Sequence, residues 1–152
     1  MRGNALADSA LQSNDLEALL ALDEQVFGMS RPDWIGTLLG QPTTEFHGRR
    51  RDGDLVSSVC LRTRKQGAIC LDTVNACEFS ELQPLLEDVS GGLMDRRVEC
   101  FARTDSPLHG FLLDRGFAVP EFFEAIGPLV EWRRGPVGPI GDSPRVQSLA
   151  WF

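Results

Sequence analysis

The chain has 152 residues, 42% of them hydrophobic and 24% charged, the size and composition of one ordinary globular domain that holds its core without disulfides or metal. Its net charge of -7 argues against a general nucleic-acid binder, because phosphate neutralisation supplies most non-specific affinity. No apolar run approaches the ~18–20 residues that span a bilayer, so no membrane partner is expected.

Met1 to Gln12 is small and polar and reads as a frayed leader. Asn14 then caps a helix over Asp15 to Phe27, with Glu17 reaching back as a capping box and Leu16, Leu19, Leu20 and Val26 at helical spacing as its buried face. Gly28 stops it. Ser30 caps a shorter helix with Pro32 in its first turn, Trp34, Ile35, Leu38 and Leu39 on one face, and Gly40 at its end. The pattern then turns to strands at Thr43 to Arg51, Leu55 to Thr63 and Ala68 to Val74. Asp52-Gly53 is a strong hairpin signal, and the connections are short enough to require an antiparallel meander. Ser80 opens the next helix, with Pro84 in its first turn, Leu82, Leu85, Leu86 and Val89 buried, and Gly91-Gly92 as its stop. Arg97 to Arg103 reads as a strand, Pro107 to Arg115 as a short helix ended by Gly116, and Phe117 to Val119 and Ala125 to Trp132 as final strands. Gly135 to Pro144 is a Gly/Pro loop before the apolar run Leu149-Ala150-Trp151-Phe152.

This order predicts an α+β (mixed α/β) fold: a central, mostly antiparallel twisted sheet flanked by about four helices. The divisions are a flexible leader over 1–13, the domain over 14–134, and a Gly/Pro linker with an apolar C-terminal segment over 135–152. That last segment is expected to rest on an edge strand or to join a homodimer or partner chain. The four cysteines, Cys60, Cys70, Cys77 and Cys100, show no C-x-x-C spacing, and His47 and His109 are the two histidines. A metal site is therefore not expected, and free thiols fit a cytoplasmic protein without a signal peptide.

Two stretches carry a family resemblance. Asp23, Phe27, Gly28 and Arg31 form a D-x-x-x-F-G-x-x-R signature that resembles the opening of a GNAT-type N-acetyltransferase domain. Asp105 to Phe117 resembles the late motif of the same superfamily, ending in Gly116-Phe117, and the element order is the GNAT order. The resemblance runs over roughly Leu16 to Arg134. It implies transfer of an acyl group from acetyl-CoA or another acyl-CoA to a small-molecule amine. It also implies a helix N-terminus that holds the pyrophosphate, a general base for the amine and a tyrosine acid for the departing thiolate.

The chain departs from that pattern. The stretch aligned with the pyrophosphate loop, Val74 to Leu82, has no glycine and no basic residue, and carries Glu78 and Glu81. Leu112 stands where the tyrosine belongs, and the chain contains no tyrosine. Asp105 replaces the late motif's asparagine. The residues left to carry the chemistry are Asp72 as base and His109 as acid, with Val74, Ser80 and Asp105 at the cofactor. The alternative reading is a degenerate GNAT-like domain that binds, dimerises or regulates without catalysis, or that has been repurposed for CoA-independent small-molecule chemistry. His47 is expected to face water among Glu45, Arg49 and Arg51.

Overall fold

The computed structural model describes residues 9–64, 67–93, 95–100, 102, 106–117 and 146–147. Helix α1 spans Leu16–Phe27 and is entered through a short 3-10 turn at Ser13–Asp15. The Gln12 N–H donates to the Asp15 carboxylate at 2.8 Å, so the capping box is Gln12 to Asp15, two residues before the expected Asn14 and Glu17. Leu19, Leu22, Asp23 and Val26 are buried, an i, i+3, i+4, i+7 stripe that leaves Leu16 and Leu20 only partly covered. Gly28 closes the helix at φ 80°, a left-handed conformation that glycine adopts at no steric cost. Helix α2, Pro32–Gly40, is capped by Arg31 and not by Ser30, with Pro32 at its first position.

Strands β1 (Ala10–Leu11), β2 (Thr44–Arg51), β3 (Asp54–Thr63) and β4 (Ile69–Ala76) form an antiparallel run. Asp52 and Gly53 both take positive φ, 52° and 89°, the geometry of the hairpin turn whose twist matches the strands. Ala10 and Leu11, within the stretch read as leader, pair with His47 and Phe46. That edge strand corrects the reading of His47. Its side chain is 2% exposed, and its Nδ1 lies 2.8 Å from the Ser9 hydroxyl, because β1 covers the side of β2 that would otherwise meet water. Gly48 permits this approach, since a Cβ there would lie 2.6 Å from Leu55 Cδ1 and 2.9 Å from Leu11 Cδ1.

Helix α3, Phe79–Gly91, crosses from β4 to β5 (Val98–Cys100), which pairs parallel to β4. Glu78 is its N-cap, so Ser80 is the second helical residue. Pro84 therefore lies beyond the first turn and removes the N–H that would bond the Ser80 carbonyl. Helix α4 covers Pro107–Asp114, and Gly116 follows at φ 85°. The Phe117 N–H then returns to the Leu112 carbonyl at 3.0 Å, which turns Phe117 back onto the core.

Two apolar cores flank the sheet. Leu61, Ile69, Leu71, Val74 and Ala76 pack with Leu82, Leu85, Leu86 and Val89 of α3 and Leu108 and Leu112 of α4. On the other face, Phe46, Leu55 and Cys60 pack under Leu19, Leu22 and Val26 of α1 and Ile35 and Leu38 of α2. The expected strands at 118–119 and 125–132, the loop at 135–144, Asp105, and Trp151 and Phe152 lie outside the described residues. Val146–Gln147 forms β6, which pairs antiparallel with β4.

Candidate functional site

The chemistry-bearing residues collect where β4 changes its course. Asp72 pairs with Cys60 and Asn75 with Ser58, so β4 spends three steps where β3 spends two. The extra residue is Thr73, at φ 46°. A β-branched residue rarely takes that conformation, and it marks a bulge held by its surroundings. The bulge resets which face each side chain meets. Ile69 and Leu71 before it, and Val74 and Ala76 after it, all enter the α3/α4 core. Asp72 and Asn75 are left on the α1/α2 face. Among the described residues, pairing with β5 covers only Ile69 to Leu71. The outer edge of β4 beyond the bulge then runs through Asn75 and Ala76 to the start of α3. Thr73 Oγ1 and Asn75 Oδ1 of β4, and Ser57 Oγ and Ser58 Oγ of the neighbouring β3, are buried around this stretch without a hydrogen-bond partner, a concentration of unsatisfied polar atoms that a folding core would avoid.

Asp72 is 1% exposed. Its Oδ2 lies 2.7 Å from Arg62 Nε, and the Cys70 thiol donates to Oδ1 at 3.4 Å. Burial pushes its carboxyl up from the ordinary value, and the Arg62 guanidinium pulls back against that. Burial first, then the Asp72 charge, pushes the Cys70 thiol up to about 11, and burial raises Cys60 and Cys100 as well. These thiols stay protonated at neutral pH and are not nucleophiles.

A second polar assembly sits on the other side of Thr73. Asp23, fully buried on α1, accepts from Arg31 Nε at 3.0 Å and Nη2 at 2.5 Å. The Arg31 guanidinium lies 3.9 Å over the Phe27 ring, an added cation–π attraction. Asn75 Nδ2 donates to the same Asp23 carboxylate at 3.3 Å. The four signature residues thus have one physical job: the Gly28 turn brings Arg31 back onto Asp23, and Asp23 reaches β4. Sequence reasoning singled out the signature but not Asn75 or Thr73. The available signal was a carboxylate inside the apolar stripe of α1, which demands a partner.

At the start of α3, Glu78 is exposed and Ser80 donates to it at 3.5 Å. Glu81 is ion-paired with Arg51, while Arg50 pairs with Asp15 at 2.7 Å and donates to the Gly53 carbonyl at 2.9 Å. The loop itself has no basic residue, yet the β2–β3 turn delivers two arginines beside it. They line a cleft of about 460 Å³ together with Gln25, Cys77, Glu78 and Glu81. Val74 is fully buried in the α3/α4 core, and Leu112 is 7% exposed within the same core. His109 is half-buried on α4, which packs on the face of the sheet opposite Asp72, so the two do not meet. Among the described residues, no group of three or more His, Cys, Asp or Glu could hold a metal ion, and no helix is long and apolar enough to cross a membrane.

No protein-family model and no curated protein sequence matches the chain. Solved structures do match its shape. A ribosomal-protein-alanine N-acetyltransferase from Brucella melitensis biovar Abortus 2308 superposes with a TM-score of 0.58 at 17% identity, over 72% of this chain and 91% of that one. A probable acetyltransferase gives 0.58 at 14% identity, over 75% and 91%. AAC(6')-Iy, in complex with the bisubstrate analogue CoA-S-monomethyl-acetylneamine, gives 0.54 at 10% identity, over 72% and 88%. The chain carries a divergent GNAT acetyltransferase fold, at identities that speak for the fold alone.

Proposed function

We propose that the chain is a GNAT-type N-acyltransferase that moves an acyl group from an acyl-CoA to a small-molecule amine in the cytoplasm. The observation that carries this reading is the bulge at Thr73, beyond which, among the described residues, the outer side of β4 meets only the two-residue strand β6 before the chain enters α3. Such an edge suits an extended arm bearing amides, and the first-turn amides of α3 suit the phosphates that follow. Arg51 offsets Glu81, which lowers the repulsion that the two glutamates would otherwise exert there. Acyl-CoA would supply the thioester carbonyl and the leaving thiolate. Val74 would offer its backbone to the arm and Ser80 its amide to the phosphates.

Asp72 is the base this reading favours. Its raised carboxyl is closer to the range in which a base works, but taking the amine proton requires Arg62 to leave Oδ2. His109 is the proposed acid in place of the missing tyrosine, and from its face of the sheet it serves the thiolate only where the thioester lies past the end of β4, within reach of both faces. A second reading, a degenerate domain that binds acyl-CoA or a partner without catalysis, is favoured by Leu112 lying sealed in the core. Calorimetric titration with acetyl-CoA, paired with an acetyl-transfer assay on a panel of small amines, separates the two. The expected result is saturable binding weaker than ~10 µM, about -7 kcal/mol, together with turnover of at least one amine. Binding without turnover favours the second reading, and no binding at millimolar acetyl-CoA overturns both acyl-CoA readings.

A further inference from the structure

We infer that the C-terminal strand β6 is an internal competitor for the acyl-CoA edge of β4. Each residue of a strand can pair on two sides. Ser58 and Ser57 of β3 already pair with Asn75 and Ala76 on one side. Gln147 and Val146 pair antiparallel with the same two residues, so β6 takes the other side, which β5 occupies further back at Ile69 to Leu71. This is the edge beyond the Thr73 bulge, and Asn75 and Ala76 are two of the three residues of β4 between that bulge and α3.

An open strand edge carries unpaired N–H and C=O groups and takes up any extended chain that reaches it. β6 satisfies that edge from within the same molecule. The contact is two residue pairs long, short enough to open locally without unfolding the domain. A ligand arm that needs the same hydrogen-bonding groups then binds only the open form, and its apparent affinity falls in proportion to the open fraction. An edge closed for about 90–99% of the time weakens binding about 10–100-fold. The inference rests on the acyl-CoA reading and adds to it a reason for weak binding that lies outside the α3 loop.

The test compares the full chain with a chain ending at Ser143 and with a full-length Gln147→Pro variant, which cannot donate to the ladder. Acetyl-CoA is titrated into each by calorimetry, and amide exchange at Asn75 and Ala76 is followed in all three. Binding at least tenfold tighter in both altered chains, with faster exchange at Asn75 and Ala76, supports the competitor role. Equal affinity in all three overturns it and leaves the acyl-CoA reading intact. No binding in any of them overturns the acyl-CoA reading, and the competitor role with it. In that case titrating a peptide of residues 144–152 into the shortened chain still reports whether the edge accepts the strand. If the chain ending at Ser143 fails to fold, the Gln147→Pro comparison decides alone.

Discussion

The two halves of β4, divided at Thr73, solve the same problem in different ways. Each places a polar side chain on the α1/α2 face, and each ties it to an arginine. Before the bulge, Asp72 meets Arg62 from the adjacent strand, across the sheet. After it, Asn75 meets Asp23, which meets Arg31 from the helix–helix turn. The first pair lies within one sheet and is fixed by strand register. The second joins three elements, α1, the turn before α2, and β4. The half of β4 that meets β6 is thus clamped to α1, and the half that meets β5 carries its ion pair within the sheet.

Removing the clamp's centre is expected to have the largest effect. Asp23 is fully buried and accepts three hydrogen bonds, two of them from one guanidinium. Asp23→Ala leaves Arg31 and Asn75 without their acceptor, and breaking such a pair destabilises by about 3–5 kcal/mol. Urea denaturation measures it. A loss under ~1 kcal/mol would mean that the assembly behaves as a surface pair and that the contrast between the halves is false.

The Asp72–Arg62 pair should respond less, because Asp72 meets one guanidinium nitrogen and a weak thiol donor where Asp23 accepts three hydrogen bonds. Arg62→Met is expected to destabilise by about 2–3 kcal/mol, through the buried carboxylate left without its counter-charge. The double change Asp72→Leu with Arg62→Met should recover most of that loss, since apolar replacements of a buried pair are often neutral. The pH dependence has a definite sign. The folded carboxyl titrates above its unfolded value, so between the two values the native state holds a proton that the unfolded state has lost. Its stabilising contribution is therefore fully present below the unfolded value of 3.8 and is lost as pH rises through the folded value. Asp72→Asn should remove that slope from the stability curve. An unchanged slope would assign it to other groups.

The same comparison explains what could be read from the sequence. Asp23 and Arg31 are eight residues apart, with a glycine stop between them, so their association was legible as a local pattern even though its buried geometry was not. Asp72 and Arg62 meet only through the β3–β4 register, and that register contains a one-residue shift which no period-2 reading of Leu-Asp-Thr-Val-Asn supplies. Thr73 in a left-handed conformation runs against its own propensity, so tertiary packing decides it. Turns were legible where glycine demands a positive φ, as at Gly28, Gly53 and Gly116. The burial of His47 was not, because it depends on Ser9 to Leu11 returning to the sheet across most of forty residues.

The smallest expected effect is at Asn75. Its bond to Asp23 is long, 3.3 Å, and its Oδ1 has no partner. Asn75→Ala therefore gives up one weak hydrogen bond and also removes a buried unsatisfied acceptor. The two terms oppose one another and should leave a stability change within about 1 kcal/mol. Asp23 holds the amide end of this side chain, so the buried carbonyl end is the one left without a partner and, under the proposed function, the one to accept from a ligand's N–H or ammonium. If the proposed amine acylation is right, Asn75→Ala should lower acetyl-transfer kcat/KM by about tenfold or more, equivalent to ~1.4 kcal/mol in the transition state, while the denaturation midpoint hardly moves. A variant that loses stability as severely as Asp23→Ala would show instead that Asn75 is a structural part of the clamp. The two halves of β4 would then differ only in which elements their arginines come from.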